Sequence, residues 1–319
     1  MLAEGKLPQA PALPAPRPLL HKAAMASPAD IPHVFDAALG RMRLARAYRD
    51  GPVDFLLRRV ADDLAERLSA VKRVFASGLD IGTPSPLVTQ RLLTGGQVGA
   101  MLHLAPVAAA LGPAGGGLAD PAWLPVAPAS VALAVSALAL HGVDDLPGAL
   151  AQIRRALQPD GLFLACLPGG QTLHELRTAF AGAEADITGG ASPRVAPFAD
   201  LRDLGGLLQR AGFALPVTDV DVVSVRYGSM LALLADLRGM GATSNLVARS
   251  RRPLRRAVLL RAVEIYAQRF ADADGRVRAT FEFVWLSGWA PHASQRPPLQ
   301  PGSAKMRLAD ALGVAEIKP

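Results

Sequence analysis

Asp80 and Gly82, in the stretch GLDIGTPSP over residues 78–86, are the residues whose type and spacing point most directly to ligand chemistry. The stretch reads as the end of a buried strand, an acid-x-Gly turn and the start of a helix. At such a junction a carboxylate can anchor an amino group, and a glycine lets backbone approach a ligand with positive φ. The N–H groups of the following helix add donors. Pro84 and Pro86 act against that reading. Proline suits a first helical position, and Ser85 before it is an acceptable N-cap, so Pro86 is tolerable. Pro84 fixes φ near about −65°, removes an N–H and sets a ring on the ligand's path.

Other candidates fall where strands end. His141, in LALHGVDD, lies just past an apolar run at the carboxyl edge, where doubly wound sheets place ligands. Histidine is the usual proton-transfer residue, although a loop histidine also caps or packs. His174 and Glu175, in QTLHELR, open a helix after the next strand, with a plain surface helix as the alternative. Ser192, Arg194 and Phe198, in SPRVAPF, belong to a loop placed to cover the mouth of a site and grip a peptide. A simple connecting loop has the same composition. His103 reads as a strand residue with a satisfied partner, and His21, His33 and His292 lie near or in loose ends. No histidine pair has H-x-x-x-H or facial-triad spacing, so no metal site is expected. The single cysteine, Cys166, allows no intramolecular disulfide; in GLFLACLPGG it reads as a small buried hydrophobe.

The elements that must position these residues follow from periodicity. Helical patterning covers 34–48 and 53–69, then a strand over 72–81 ends at Asp80. A short helix over 86–93, a strand over 97–104, and a weak helix and loop in APVAAALGPAGGGLAD follow. A buried strand runs over 131–140, and DDLPGALAQIRRAL is a helix with acidic residues at its start and arginines near its end, as the dipole favours. QPDG turns the chain into a strand over 161–167, with helices over 171–185 and 200–211. PVTDVDVVSVRYG alternates as a half-exposed strand does; helices over 229–240 and 253–269 precede a last strand, VRATFEFVWLSGW. The glycines of GMGATSN, 239–245, end the first of those two helices. Strands alternating with helices predict a mostly parallel sheet with helices on both faces.

Composition bounds the rest. The 319 residues are 50% hydrophobic and 19% charged, enough apolar material for a sizeable core. The net charge of +7 comes mostly from arginines spread along helices. The dense run ARSRRPLRR lacks the aromatic interleaving of a nucleic-acid surface, so no nucleic acid is expected; a solvated helix end or contact with an acidic or membrane surface accounts for it. The uncharged stretches 92–119 and 121–143 are broken by Gly and Pro, so no membrane span is expected. Residues 1–32, with LPQAPALPAPRP, read as a disordered Pro/Ala-rich extension, with Met25 an alternative initiator to Met1. A domain over 33–290 and a loose tail over 291–319 complete the organisation.

In this order the motifs resemble a class I S-adenosylmethionine-dependent methyltransferase. More narrowly, the chain is similar to the complex I assembly-factor arginine hydroxylases and their bacterial relatives. The blocks carrying the match are LADPAWLP, VSALALHGVDDLPGALAQIRRALQPDGLF, GGQTLHELR, SPRVAPFADLRDLGGLLQRAGF, DLRGMGATSN and QRPPLQPGSA. The resemblance implies a Rossmann-like sheet of seven strands, mostly parallel with the last antiparallel. It also implies action on an arginine of a respiratory-complex subunit, in the cytoplasm or peripheral to the inner membrane. Asp80, Gly82, Asp120 and His141 fall on the cofactor-site positions. Two of the glycines and the ribose-binding carboxylate of the second strand are replaced, the latter region reading LHLAPVA. Losing one charge-assisted hydrogen bond costs about 1.5–3 kcal/mol, roughly 10- to 150-fold in affinity. S-adenosylmethionine is therefore expected to bind weakly or not at all. A conventional methyltransferase on a small molecule or acyl carrier, and a non-catalytic assembly chaperone, are the alternatives.

Overall fold

The computed structural model describes residues 33–112 and 115–295. The expected extension over 1–32, His21, the choice between Met1 and Met25, and the tail from 296 onward lie outside the described residues. Two helices come first, α1 (Ala37–Asp50) and α2 (Phe55–Ser69), followed by β1 (Phe75–Ile81), α3 (Leu87–Thr94) and β2 (Val98–Ala105). Then come β3 (Gly117–Leu118), β4 (Val131–Ala137), α4 (Leu146–Ala156), β5 (Leu157–Pro168) and α5 (His174–Thr188). The chain continues through α6 (Leu201–Arg210), β6 (Ala214–Tyr227), α7 (Met230–Gly239), α8 (Arg256–Phe270) and β7 (Val277–Trp289).

The seven strands form one sheet in the order β3-β2-β1-β4-β5-β7-β6. The pairs β1–β2, β1–β4 and β4–β5 are parallel, and β7 lies antiparallel between β5 and β6. This is the expected Rossmann-like sheet. Strand order reverses between β1 and β4, so a crevice opens beyond their carboxyl ends, where ligands bind in open α/β sheets. Asp80 lies at the carboxyl end of β1, and Asp120, His141 and the residues after Pro168 follow strand ends on that edge.

Alternation along the strands divides the core. Leu133, Val135 and Ala137 of β4 face one layer with α2, α5, α7 and α8, while Ala134 faces the other with α4 and α6. Burial of residues 132–137 of β4 and 161–167 of β5 on both faces explains why these runs are almost continuously apolar. Cys166 belongs to the first layer, and burial pushes its thiol well above the ordinary range.

Capping fixes where helices begin. Asp36 accepts the Leu39 N–H at 3.0 Å, Asp145 accepts that of Gly148 at 2.8 Å, and Asp200 that of Arg202 at 2.8 Å. At the α3 start the Ser85 hydroxyl accepts the Leu87 N–H at 3.3 Å, with Pro86 between them and the helix opening at Leu87. The α7 end is a Schellman turn: Gly241 has φ +73°, and the Ala242 N–H reaches the Leu237 carbonyl at 2.9 Å. Gly241 also lies against α1, where an added methyl would come within 2.9 Å of Leu44 Cα. The glycine therefore both terminates α7 and admits the N-terminal helix.

Two differences from the sequence reading stand out. β3 is only Gly117–Leu118, too short to leave a periodic signal. The expected loose tail starts tied down: Gln295 donates to Asp160 and to the Ala290 carbonyl, both at 2.9 Å.

Candidate functional site

The turn after β1 is closed by its own side chains. Asp80 pairs in register with His103 of β2, and its carboxylate is fully buried. The Thr83 hydroxyl donates to one carboxylate oxygen and the Thr89 hydroxyl to the other, the second at 3.0 Å. Burial raises the Asp80 pKa, against the opposing pull of His103 and the two hydroxyls. The Ala137 N–H donates to Thr83 Oγ1 at 3.1 Å, and His103 Nε2 bonds the Thr83 carbonyl at 2.8 Å. His103 is thus the strand residue with a partner that the sequence suggests, although its enclosed Nδ1 meets none among the described residues. Both Asp80 oxygens are committed within the chain.

The glycine positions are filled as well. Gly82 has φ +69°, and a methyl there would lie 2.6 Å from Pro121 Cγ and 3.1 Å from Ala139 Cβ. The Pro121 ring therefore occupies the room that the missing side chain leaves. Pro86 does the same at Gly112, where a methyl would come 2.6 Å from its Cγ. The rings packed against these two glycines are those of Pro121 and Pro86.

A strap crosses the same edge. The Asp144 carboxylate accepts the N–H groups of Val34 at 3.1 Å and Phe35 at 3.0 Å, with His33 at 3.3 Å. Asp144 thus precedes α4 and holds the N-terminal segment instead of favouring the helix dipole. Asp36 takes Arg249 at 3.1 Å, and Arg43 donates to the Thr243 and Ser244 carbonyls. Arg41 of α1 reaches Asp120 at 3.0 Å, while the other Asp120 oxygen accepts the Ala122 N–H at 3.0 Å. Both members of the Arg41–Asp120 pair are substantially exposed, so the pair itself adds little stability, about 0–1 kcal/mol.

His141 lies beyond β4 with its ring centroid 6.0 Å from that of Phe198. Part of the residue is accessible, yet Nδ1 is enclosed without a partner, and burial lowers the ring's pKa to about 4. The imidazole is therefore neutral at physiological pH. His174 begins α5, stacked on Phe270 with centroids 6.1 Å apart, and its Nδ1 is 3.5 Å from Glu175. Glu175 turns inward: Thr280 of β7 donates to it through its hydroxyl at 2.5 Å and its N–H at 3.2 Å. The carboxylate ties α5 to β7.

Beside these residues opens a cleft of about 460 Å³ lined by Gly170, Arg177, Phe180, Ala181 and the 192–198 loop. Ser192, Arg194 and Phe198 all line it, as does Arg177, which the sequence reading did not single out. Ser192 and Arg194 are engaged with Glu184 of α5. The carboxylate accepts the Ser192 N–H at 2.6 Å, its hydroxyl at 3.0 Å and Arg194 Nε at 2.9 Å, with Arg194 lying over the Phe180 ring. Burial pushes Glu184 up, but the Ser192 N–H, Arg194 and the Ser192 hydroxyl together bring its pKa below the ordinary value. Nothing in the sequence marks Glu184, since its partners lie in a loop whose path only the fold sets.

The structure thus brings Asp80, Gly82 and Asp120 to one crevice and His141 to Phe198, with Ser192 and Arg194 across the adjoining cleft. S-adenosylmethionine needs room against Gly82, free acceptors on the first-strand acid and a carboxylate near the end of the second strand. Pro121 stands against Gly82, each Asp80 oxygen already accepts a hydroxyl of the chain, and β2 ends Leu-His-Leu-Ala. These residues do not fit that group in the way the methyltransferase turn ordinarily does. Among the described residues no group of three or more His, Cys, Asp or Glu side chains converges as metal ligands.

Sheet order and strand-end turn define a class I S-adenosylmethionine methyltransferase-like protein, and residues 97–165 match the family model described as Methyltransferase domain. The chain is 34% identical over 297 residues to the Danio rerio protein named Arginine-hydroxylase NDUFAF5, mitochondrial, covering 90% of this chain and 92% of that one. It belongs to that arginine-hydroxylase family. It is also 36% identical over 184 residues to a Malonyl-[acyl-carrier protein] O-methyltransferase of Laribacter hongkongensis, covering 58% of this chain and 59% of that one. The crystal structure of the YcgJ protein from Bacillus subtilis has the same fold, with a TM-score of 0.50 at 12% identity over 72% of this chain and 98% of that one.

Proposed function

We propose that this chain modifies an arginine side chain of a partner subunit during assembly of respiratory complex I, hydroxylation being the modification its family name indicates. The observation that carries this reading is the reach of the similarity: it covers 92% of the arginine-hydroxylase relative, far beyond the methyltransferase segment at 97–165. The acyl-carrier methyltransferase match stops at 59% of that protein, which places methyl transfer to a carrier second.

In this reading S-adenosylmethionine is bound weakly or not at all. The packing of Pro121 on Gly82 and the bonds of both Asp80 oxygens to Thr83 and Thr89 support it. Hydroxylation of a C–H bond takes an oxygen atom and an oxidant from outside the ordinary side chains, so the chain's own residues serve to bind and orient the partner. His141 beside Phe198 and His174 at the start of α5 are the candidates for proton transfer. Ser192 and Arg194 hold the substrate loop through Glu184, which leaves Phe198 as its contact to the partner. No described helix is long and apolar enough to cross a membrane; in this reading the protein works in the cytoplasm or peripheral to the inner membrane, beside its respiratory partner.

The closed crevice favours one further reading, a non-catalytic assembly chaperone. Mass analysis of complex I subunits from cells lacking the gene and from cells complemented with it separates the two. Enzymatic action predicts an arginine heavier by one oxygen only in complemented cells. Restored assembly with every arginine unmodified would decide for the chaperone.

A further inference from the structure

The cleft carries a charge that holding the loop does not use. Its lining includes two guanidinium groups and no carboxylate. Arg194 is matched by Glu184 beneath it. Arg177 makes no ion pair among the described residues; its nearest acceptors are the Gly170 and Thr172 carbonyls at 3.5 Å, the outer limit of a hydrogen bond. It also sits near the start of α5, where the helix dipole is positive, and the acid of that first turn, Glu175, is turned inward onto Thr280. Around it stand Phe180, Pro193, Pro197 and Phe198.

We propose that this cleft docks an acidic segment of a partner polypeptide, with a carboxylate side chain on Arg177 and apolar neighbours against Pro197 and Phe198. A guanidinium takes a carboxylate in a two-point geometry. The space of about 460 Å³, walled by rings, suits a short run of side chains better than a small anion, which would leave those rings wet. The inference rests on the reading that the chain acts on a partner protein, and it identifies which stretch is gripped. An arginine would be repelled by Arg177, so the cleft holds residues flanking the target and not the target itself.

The test is fluorescence anisotropy of the full chain with a labelled, capped peptide of alternating glutamate and leucine, beside its glutamine counterpart. At low salt the glutamate peptide is expected to bind about tenfold more tightly, the value of one charge-assisted contact. Arg177→Gln should abolish that preference, and Arg155→Gln, an exposed position on α4, should keep it. Equal affinities, no saturable binding of the glutamate peptide, or a preference surviving Arg177→Gln would each overturn the assignment. Because the readout is binding, an absence of arginine modification leaves this result standing, and failure here leaves the modification reading to its own test.

Discussion

Two regions follow strand ends at the same edge of the sheet and have opposite character. After β1, residues 80–86 turn polar atoms inward: Asp80, Thr83, Thr89 and His103 bond one another, and proline rings pack on Gly82 and Gly112. After β5, residues 170–198 enclose an open cleft with an arginine that no acid matches. Buried polar groups are stable only when paired, so the first region has become core. The second keeps a cation with no ion pair among the described residues beside apolar walls, the composition of a binding surface. It is on this contrast that the proposed docking of a partner on the β5 side rests.

The sharpest way to break that comparison is Gly82→Ala. Positive φ and the 2.6 Å approach to Pro121 should make it destabilising by about 2–4 kcal/mol in urea unfolding. Arg177→Gln in the open cleft should stay within about 0.5 kcal/mol of wild type in the same measurement. If alanine at 82 were tolerated as easily, the crevice would be open space.

Next in size is the cofactor. Calorimetric titration should show S-adenosylmethionine binding at least roughly 10- to 150-fold weaker than in a methyltransferase that keeps the ribose carboxylate. Low-micromolar affinity would restore the crevice as the functional centre and return a conventional methyltransferase to first place.

The subtlest prediction concerns pH. Asp80 titrates above the ordinary carboxyl range in the folded chain, so between those two values the native state holds a proton that the unfolded state has released. Its contribution is thus most favourable below the ordinary carboxyl pKa and declines as pH rises through the folded value. Asp80→Asn should flatten that part of the stability profile measured by urea midpoints from acid to neutral pH. An unchanged slope would show that Asp80 is not the buried acid responsible.

Much of the architecture was legible in the sequence because strands and helices announce themselves by period. Leu133, Val135 and Ala137 alternate with Ala134 between two layers, and Leu146, Leu150 and Ile153 recur at helical spacing toward one of them. The two-residue β3 escaped because Gly117–Leu118 is too short for a pattern. At the site, residue types were readable and their commitments were not. The sequence does not show that Asp120 pairs with Arg41 of α1, or that Ser192 and Arg194 bond Glu184. Arg177 drew no notice because a lone arginine on a helix has no signature until its neighbours are known.

The sequence by itself determined the order of elements, the two-sided burial of β4 and β5, the Asp80–Gly82 turn and the absence of a carboxylate in LHLAPVA. Each is set by local spacing and composition. Only the tertiary structure decided that Pro121 meets Gly82, that Asp144 captures Val34 and Phe35, and that Arg177 meets no carboxylate among the described residues. Those outcomes depend on segments far apart in the chain meeting at one sheet edge. Which partners meet there is fixed by how the helices pack on the two faces, and not by any property of the residues taken one at a time.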